Sequence, residues 1–275
     1  MRSCRAAMKR RSARWRRWTD GVVNGPADYA LIFAVILVAN TASSLTGFGG
    51  TVLALPFVAM IIGVKMAVPV LVVQAWVLAI FICAEARRSI SWRDWAKIVV
   101  FVVLGLPVGL WVAGVVREEP LKLALGLFTL ALGSYGMIRP LPREDSRERL
   151  VGRKRRALTG LLALGGVVHG AFATGGPLIV VYGTRAMPEK STFRVTMSAT
   201  WLTLNTILLT QWFIRGTFTE PQLKLAALCV PFTLAGMAIG TVAHYRVDEL
   251  LFRRALYTVL IIASLMLIGS AVGVG

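Results

Sequence analysis

Carboxylates are scarce in this sequence, and none lies in the interior of a long apolar segment. The chain has 13 Asp and Glu residues against 31 Lys and Arg residues. Every acid falls in a joint between apolar segments, in a tail or at a segment end. Carboxylates buried at membrane depth typically mark paths for cations or protons. Their absence there argues against a cation pump and favours an anion as the ligand.

Cysteine and histidine are also few, with three and two residues. Cys4, Cys83 and Cys229 form no CxxC pair and have no histidine nearby, so neither a disulfide framework nor a zinc site is indicated. The sequence lacks a Ser-His-Asp order, an HExxH motif and a P-loop. It therefore predicts no metal, no cofactor and no enzyme, and it argues against ATP-driven transport by this chain alone.

Charged residues make up 16% of the chain and hydrophobic residues 56%, whereas soluble domains carry about a quarter charged residues. An apolar stretch of about 18 or more residues is long enough to cross a membrane as a helix. We therefore predict an all-α, polytopic integral membrane protein. The apolar segments are 29–45, 51–62, 67–86, 95–116, 121–138, 158–172, 178–182, 193–214, 223–244 and 251–272.

Most of the net positive charge of +18 is concentrated in two patches. The tail from Met1 to Trp18 holds eight basic residues and no acid, and the segment from Arg139 to Arg156 holds eight basic residues and three acids. Both patches flank apolar segments, as cytoplasmic flanks of membrane proteins do. We expect them to contact anionic lipid headgroups rather than nucleic acid, the other partner of strongly basic chains.

The two halves of the chain share one order of segments. Gly47-Phe48-Gly49-Gly50 and Thr174-Gly175-Gly176-Pro177 each interrupt the first apolar helix of a half, and three long segments follow. An offset of about 126 residues superposes the halves, as in the internal duplications of secondary transporters. We predict about eight transmembrane helices in two four-helix repeats. The predicted divisions are a basic cytoplasmic tail (1–26), a first repeat (27–138), a basic cytoplasmic loop (139–157) and a second repeat (158–275).

The distribution of Lys and Arg predicts an orientation in the inner membrane. Counting each broken helix as one crossing places both termini and the central loop in the cytoplasm. The joints with Lys65 and Arg117 then face outward, but so does the joint flanked by Arg246, Arg253 and Arg254, which fits less well. A form in which each broken segment re-enters the membrane stays open.

The glycine clusters are candidate binding sites. Glycine permits a helix break and close approach of a ligand to the backbone, and free N–H groups at a helix start favour an anion. Two such starts, one from each half, would face each other across a shared central site. The alternative is that these glycines only let helices pack closely. The candidate binding residues at the clusters are Thr46, Gly47, Gly49, Gly50, Thr51, Thr174, Gly175 and Gly176.

A few polar side chains in the apolar segments are further candidates. His169 is the one ionisable group expected at membrane depth, where such residues are functional by default, although it could instead bond a carbonyl in a helix contact. Gln74, Thr200 and Asn205 are candidates for the pathway, while hydrogen bonding between helices is the commoner role of such residues. Trp201 is interpreted as an interfacial anchor or an ordinary packing residue.

Two runs carry a family resemblance. SLTGFGGTVLALP, from Ser44 to Pro56, and HGAFATGGP, from His169 to Pro177, resemble the two repeat signatures of the sulfite exporter TauE/SafE family. The resemblance extends over about 29–272 and implies an inner-membrane permease for a small anion, often sulfite or an organosulfur anion. Thr51 stands where many members have a further glycine.

These observations together predict a secondary carrier that moves a small anion outward, driven by an ion gradient or the membrane potential. A passive anion channel is one alternative. A membrane scaffold subunit, in which the glycine clusters serve packing alone, is the other. Substrate, direction, coupling ion and oligomeric state, including a homo-oligomer, stay open.

Overall fold

The computed structural model describes residues 25–46, 50–138, 153–187, 189–243 and 249–273. These residues form ten α-helices and a short 3-10 helix at Arg87–Ser89. This confirms the prediction of an all-α polytopic protein. The helices are α1 (Pro26–Thr46), α2 (Gly50–Ile62), α3 (Val64–Ala86), α4 (Trp92–Val115), α5 (Glu118–Ile138), α6 (Arg153–Phe172), α7 (Gly176–Ala186), α8 (Lys190–Ile214), α9 (Glu220–Ala243) and α10 (Glu249–Val272).

Five helices of the described chain are long and apolar enough to cross a membrane, judged by length and composition: α1, α3, α4, α5 and α9. α6 begins at Arg153, so the last basic residues of the predicted central loop already belong to a helix. The rest of that loop, 139–152, and the basic tail lie outside the described residues.

Two pairs of equivalent helices in the two halves begin at the same spacing. α2 and α7 begin at Gly50 and Gly176, and α3 and α8 begin at Val64 and Lys190; both pairs are 126 positions apart. The packing is reciprocal as well, because α1 packs on α9 while α4 packs on α6, and α3 pairs with α8 as α5 pairs with α10. An internal duplication would produce both features, although the division into two repeats stays a prediction.

The broken helices fold back on themselves. Gly50, the first residue of α2, packs on α1, where a Cβ added to it would lie 2.9 Å from the Ser43 Cβ and 3.1 Å from the Ala39 carbonyl oxygen. A continuing helix would place residue 50 about 16 Å beyond residue 39. Gly165 of α6 likewise faces Ile179 of α7. The pairs α1–α2 and α6–α7 are therefore helical hairpins, which is the re-entrant form that the sequence left open.

Hydrogen bonds between helices show which helix ends lie at the same end of the bundle. The Glu118 carboxylate at the start of α5 accepts the backbone N–H groups of the first two residues of α3, and the Gln222 amide of α9 donates to the Lys65 carbonyl of α3 at 3.3 Å. We call this the Glu118 end of the bundle. At the opposite end, the Ser91 N–H before α4 donates to the Thr196 hydroxyl of α8 at 2.9 Å. We call this the Ser91 end.

The two hairpins are attached at opposite ends. α1 runs parallel to α9, with Phe33 stacked on Phe232 at 4.4 Å and Ser44 bonded to the Met237 carbonyl, so the α1–α2 hairpin starts and finishes at the Glu118 end. α6 runs parallel to α4, because a Cβ on Gly105 would overlap Ala163 and a Cβ on Gly109, four residues on, would overlap Val167. The α6–α7 hairpin therefore starts and finishes at the Ser91 end.

This arrangement corrects the predicted topology. The sequence analysis counted each broken helix as one crossing, which placed the basic tail and the central loop on one side. Since each broken helix folds back, one crossing is lost in each half. The start of α1 and the start of α6 therefore lie at opposite ends of the bundle.

Candidate functional site

A small cavity lies between the start of α2 and the start of α7. It has a volume of about 50 Å³, which is space for about four water molecules and suits a small oxyanion. Residues of six helices line it. The lining residues are Asn40, Ser43, Gly50, Thr51, Val52, Ala54, Leu71, Gln74, Ala75, Leu78, Ala79, Ile82, His169, Ala173, Thr174, Gly176, Ser198, Trp201 and Asn205.

Two helix starts reach this cavity. Gly50 and Thr51 begin α2, Gly176 begins α7, and all three residues line the cavity. The first N–H groups of a helix have no carbonyl partner within the helix, and each helix start carries a partial positive charge of about +0.5. α2 runs from the cavity towards the Glu118 end and α7 towards the Ser91 end, so both positive ends point at the same space.

Three buried side chains present unpaired polar atoms here. His169, Thr174 and Asn205 are 2%, 1% and 2% exposed. Both ring nitrogens of His169, the Thr174 hydroxyl and the Asn205 carbonyl oxygen have no hydrogen-bond partner in the described part of the chain. Asn205 lies beside His169 without satisfying either nitrogen. Leaving one buried polar group unpaired costs about 1–3 kcal/mol, so three around one cavity indicate a site for a polar ligand.

The break between α6 and α7 positions Thr174. Ala173 has φ 53°, in the left-handed region that residues other than glycine rarely adopt, and its N–H donates to the His169 carbonyl at 2.7 Å. The chain then turns back through Gly175, where a Cβ would lie 2.8 Å from the His169 Cβ and overlap the α6 backbone at Gly165. Gly175 thus permits close packing of the hairpin, and Thr174 faces the cavity.

Trp201 forms an aromatic wall that the sequence analysis missed. Its ring stacks on His169 with centroids 5.8 Å apart and an interplanar angle of 28°, and a Cβ on Gly176 would contact it at 3.6 Å. The residue is therefore at the cavity rather than at the membrane interface. Ser43, which lies 126 positions before His169 and just before the first glycine cluster, lines the cavity as well.

Two predicted pathway residues bond helices instead. Gln74 lines the cavity, but its amide nitrogen donates to the Ala226 carbonyl at 2.9 Å and its oxygen accepts the Thr233 hydroxyl at 2.8 Å. The Thr200 hydroxyl donates to the Thr196 carbonyl of its own helix at 2.9 Å, and Thr200 is not a lining residue. The polar atoms of Gln74 and Thr200 are therefore already engaged in helix contacts.

The remaining predictions fall at the first glycine cluster. Gly47 and Gly49 lie outside the described residues, and so does the side chain of Thr46. In the described chain, no group of three or more His, Cys, Asp or Glu residues is placed to hold a metal ion. The chemistry of the cavity is therefore that of hydroxyl, amide, imidazole and backbone N–H groups.

Comparison with known proteins identifies the family. The model of the family described as "Sulfite exporter TauE/SafE" matches residues 32–267. The chain is 24% identical over 181 residues to the "Probable inner membrane transporter protein TsaS" of Comamonas testosteroni, which covers 66% of this chain and 73% of that relative. No solved structure matches the chain. Because the family match spans most of a polytopic helical chain, this protein belongs to the sulfite exporter TauE/SafE family of membrane transporters.

Proposed function

We propose that this protein is a secondary carrier that exports a small oxyanion, such as sulfite or an organosulfur anion, across the inner membrane through the central cavity. Family membership supports transport of such an anion. The observation that carries the proposal is the meeting of two helix starts and three buried, unpaired side chains, His169, Thr174 and Asn205, around one cavity.

The donors of the cavity can replace the hydration shell of an anion. The Thr174 hydroxyl donates one hydrogen bond, and a neutral imidazole at His169 donates one more. The NH₂ group of Asn205, which also lines the cavity, is a further donor. The N–H groups at Gly50 and Gly176 complete the set. Each donor is held on a helix or at a hairpin tip, so the site is formed before the anion arrives.

The attachment of the two hairpins at opposite ends suits alternating access. Movement of the α1–α2 hairpin would open the cavity towards the Glu118 end, and movement of the α6–α7 hairpin would open it towards the Ser91 end. Rocking of one repeat against the other around a fixed midplane site is the usual mode of such carriers. A passive channel would instead need both paths open together.

We place the Ser91 end in the cytoplasm. Arg87, Arg88 and Arg93 lie at this end, the basic central loop attaches there, and Lys and Arg accumulate on the cytoplasmic side. α9 ends and α10 begins at this end as well, so Arg254, near the start of α10, no longer faces outward as the sequence-based topology required. The basic tail precedes α1, which starts at the Glu118 end, so this orientation puts the tail outside the cytoplasm, against the distribution expected of Lys and Arg.

The test is flux of labelled sulfite from proteoliposomes. Thr174→Val keeps the shape of the side chain and removes its hydroxyl, so we expect at least about a tenfold loss of flux. Thr184→Val is the matched control, because Thr184 lies in the same hairpin, is exposed, and bonds only its own helix at Val180 and Val181. Gly175→Ala is less suitable, since the added Cβ would overlap backbone.

Two results would overturn the proposal. One is wild-type protein that gives no flux above empty liposomes, which is the outcome expected of a scaffold. The other is Thr174→Val protein that transports at the wild-type rate. Accumulation of sulfite against its own gradient under an imposed proton gradient or membrane potential would separate a carrier from a passive channel.

A further inference from the structure

Arg194 is an unpaired cation close to the cavity. It is the fifth residue of α8 and is half-buried, and its Nε is buried without a hydrogen-bond partner in the described part of the chain. Among the described residues, no carboxylate forms an ion pair with it either. A guanidinium keeps its charge in proteins, and a cation without a partner in a membrane-embedded helix is costly and usually functional.

The position of Arg194 on α8 places it on an approach to the cavity. Ser198, Trp201 and Asn205 line the cavity, and the four residues fall within about 60° of one another around the helix. Arg194 lies about 6 Å along the axis from Ser198, whose hydroxyl donates to the Arg194 carbonyl at 2.9 Å. Helical side chains lean towards the start of their helix, so this side chain extends from the cavity towards the Ser91 end, where α8 begins.

The helix surfaces beside Arg194 on this approach are apolar. Leu78 and Ile82, which line the cavity, form a small hydrophobic cluster with Val195 of α8. Ile90, just before α4, packs on this cluster, so the cluster reaches from the cavity to the Ser91 end. Apolar side chains give an anion no replacement for its hydration shell. Arg194 therefore supplies the charge that compensates an anion as it leaves water on this side of the cavity.

The residue that corresponds to Arg194 in the first half is apolar. At the spacing of 126 positions that relates α3 to α8, the equivalent residue is Val68, which is buried in the main hydrophobic core. Since α3 begins at the Glu118 end, Val68 occupies the matching position on the other side of the cavity. The two approaches therefore differ in charge although their helices correspond.

We propose that Arg194 is an outer binding residue that receives the anion from the Ser91 end and passes it to the cavity. The inference rests on the proposed transport function and gives that site a charged approach on one side. The guanidinium binds the anion through charge-assisted hydrogen bonds, and the cavity begins one helical turn further on, at Ser198. An anion offered from the Glu118 end reaches the cavity without this contact.

Uptake of labelled sulfite from each face of the membrane tests the inference. Arg194→Met removes the charge and Arg194→Lys keeps it. Arg185→Met is the matched control, because Arg185 is exposed in the last turn of α7, which also runs to the Ser91 end. Inverted and right-side-out vesicles offer opposite faces to the label. Reaction of an impermeant maleimide with Arg88→Cys, in a protein without its native cysteines, shows which preparation exposes the Ser91 end, where Arg88 is exposed.

We expect Arg194→Met to raise the half-saturating sulfite concentration at the Ser91 face at least about tenfold, as for a lost hydrogen bond to a charged group. The value at the Glu118 face should stay close to that of the wild type. Arg194→Lys should recover most of the loss because the charge remains, and Arg185→Met should transport as the wild type does. The unfolding temperature of the Arg194→Met protein should be unchanged or higher, since an unpaired buried donor is removed.

The other outcomes contradict the inference. Wild-type half-saturation at both faces of the Arg194→Met protein would overturn it and leave anion transport standing. An equal rise at both faces would contradict an outer position on one side. A lower unfolding temperature with flux that Arg194→Lys does not recover would make Arg194 a structural residue. Wild-type protein without sulfite flux in either preparation would overturn the inference together with the proposed function.

Discussion

The unpaired polar atoms of His169, Thr174 and Asn205 are available to a ligand, but they lower the stability of the folded protein. A buried polar group without a partner destabilises the folded protein, and an apolar replacement of similar shape is neutral or stabilising. Gln74 is the contrasting case, because its amide is bonded to Ala226 and Thr233 on α9. An apolar substitution should therefore leave stability unchanged or raise it at the unpaired positions, whereas it should lower stability at Gln74.

We predict that Asn205→Leu leaves the unfolding temperature in detergent unchanged or raises it, while anion flux falls at least about tenfold. Gln74→Leu should lower stability by about 1–3 kcal/mol, because it leaves the Thr233 hydroxyl and the Ala226 carbonyl short of a partner. Thermal unfolding and liposome flux of both variants measure this. Equal destabilisation by the two substitutions would show that Asn205 is a structural residue.

The sequence identified some cavity residues and missed others for a physical reason. His169 and Asn205 stand out because polar groups are rare in apolar helices. Trp201 was interpreted as an interfacial anchor because tryptophan is common at both places, and only the three-dimensional position distinguishes them. Thr200 is one residue from Trp201, but about 100° of helix rotation separates neighbours and turns its hydroxyl away from the cavity.

At the scale of helices, glycines hold the hairpins against their partner helices. A Cβ at Gly105 or Gly109 of α4 would overlap the backbone of α6, and a Cβ at Gly166 or Gly170 of α6 would overlap the backbone of α4. Gly114, also on α4, has no atom within 4 Å of an added Cβ. The packing interpretation of glycine therefore applies to the α4–α6 contact, whereas Gly50 and Gly176 also begin helices at the cavity.

We predict that Gly109→Ala destabilises the protein by about 1–3 kcal/mol, because α4 and α6 must move apart. Gly114→Ala, its control on the same helix, should be neutral or stabilise by up to about 1 kcal/mol, since alanine favours the helix. Thermal unfolding in detergent compares the two. A Gly109→Ala protein as stable as the Gly114→Ala protein would contradict the close contact of these helices.

The start of α3 is stabilised from a neighbouring helix. Glu118 accepts the N–H groups of Val64 and Lys65, as a capping residue does, while Glu119 only approaches Arg117 at 3.9 Å on the surface. We expect Glu118→Gln to cost about 0.5–2 kcal/mol and Glu119→Gln to cost less than about 1 kcal/mol. Thermal unfolding of both variants checks this, and equal effects would argue against the cap.

The positions of the helix breaks were predictable, but their direction was not. The sequence placed the second arms at 51–62 and 178–182, and α2 and α7 begin one and two residues earlier, at Gly50 and Gly176. Apolar length shows that a segment can lie in a membrane, and it does not show whether the chain continues or turns back. Arg246 and Arg253 were the sequence signal against one crossing for each broken helix, because that count placed these basic residues outside the cytoplasm.

At the scale of the whole molecule, the fold-back of two helices sets the topology. α1 begins at the Glu118 end, whereas α5 ends and α6 begins at the Ser91 end. We predict that a thiol in the tail and a thiol in the loop react with a membrane-impermeant maleimide from opposite sides of the membrane.

Two single-cysteine proteins measure this. One keeps Cys4 and carries Cys83→Ala and Cys229→Ala; the other lacks all three native cysteines and carries Ser146→Cys in the central loop. Intact cells and inverted vesicles expose opposite faces to the reagent, and each protein should label in only one of the two preparations. Labelling of both proteins from the same face would contradict the hairpin topology.

The account depends most on an anion bound in the middle of the membrane between two helix starts. Crystals of the full chain grown with selenite, the heavier analogue of sulfite, would locate the anion by the anomalous scattering of selenium. The predicted result is a peak between Gly50 and Gly176, with its oxygens within hydrogen-bonding distance of the Thr174 hydroxyl. A transport-active protein whose anomalous peaks all lie outside this cavity would contradict the account.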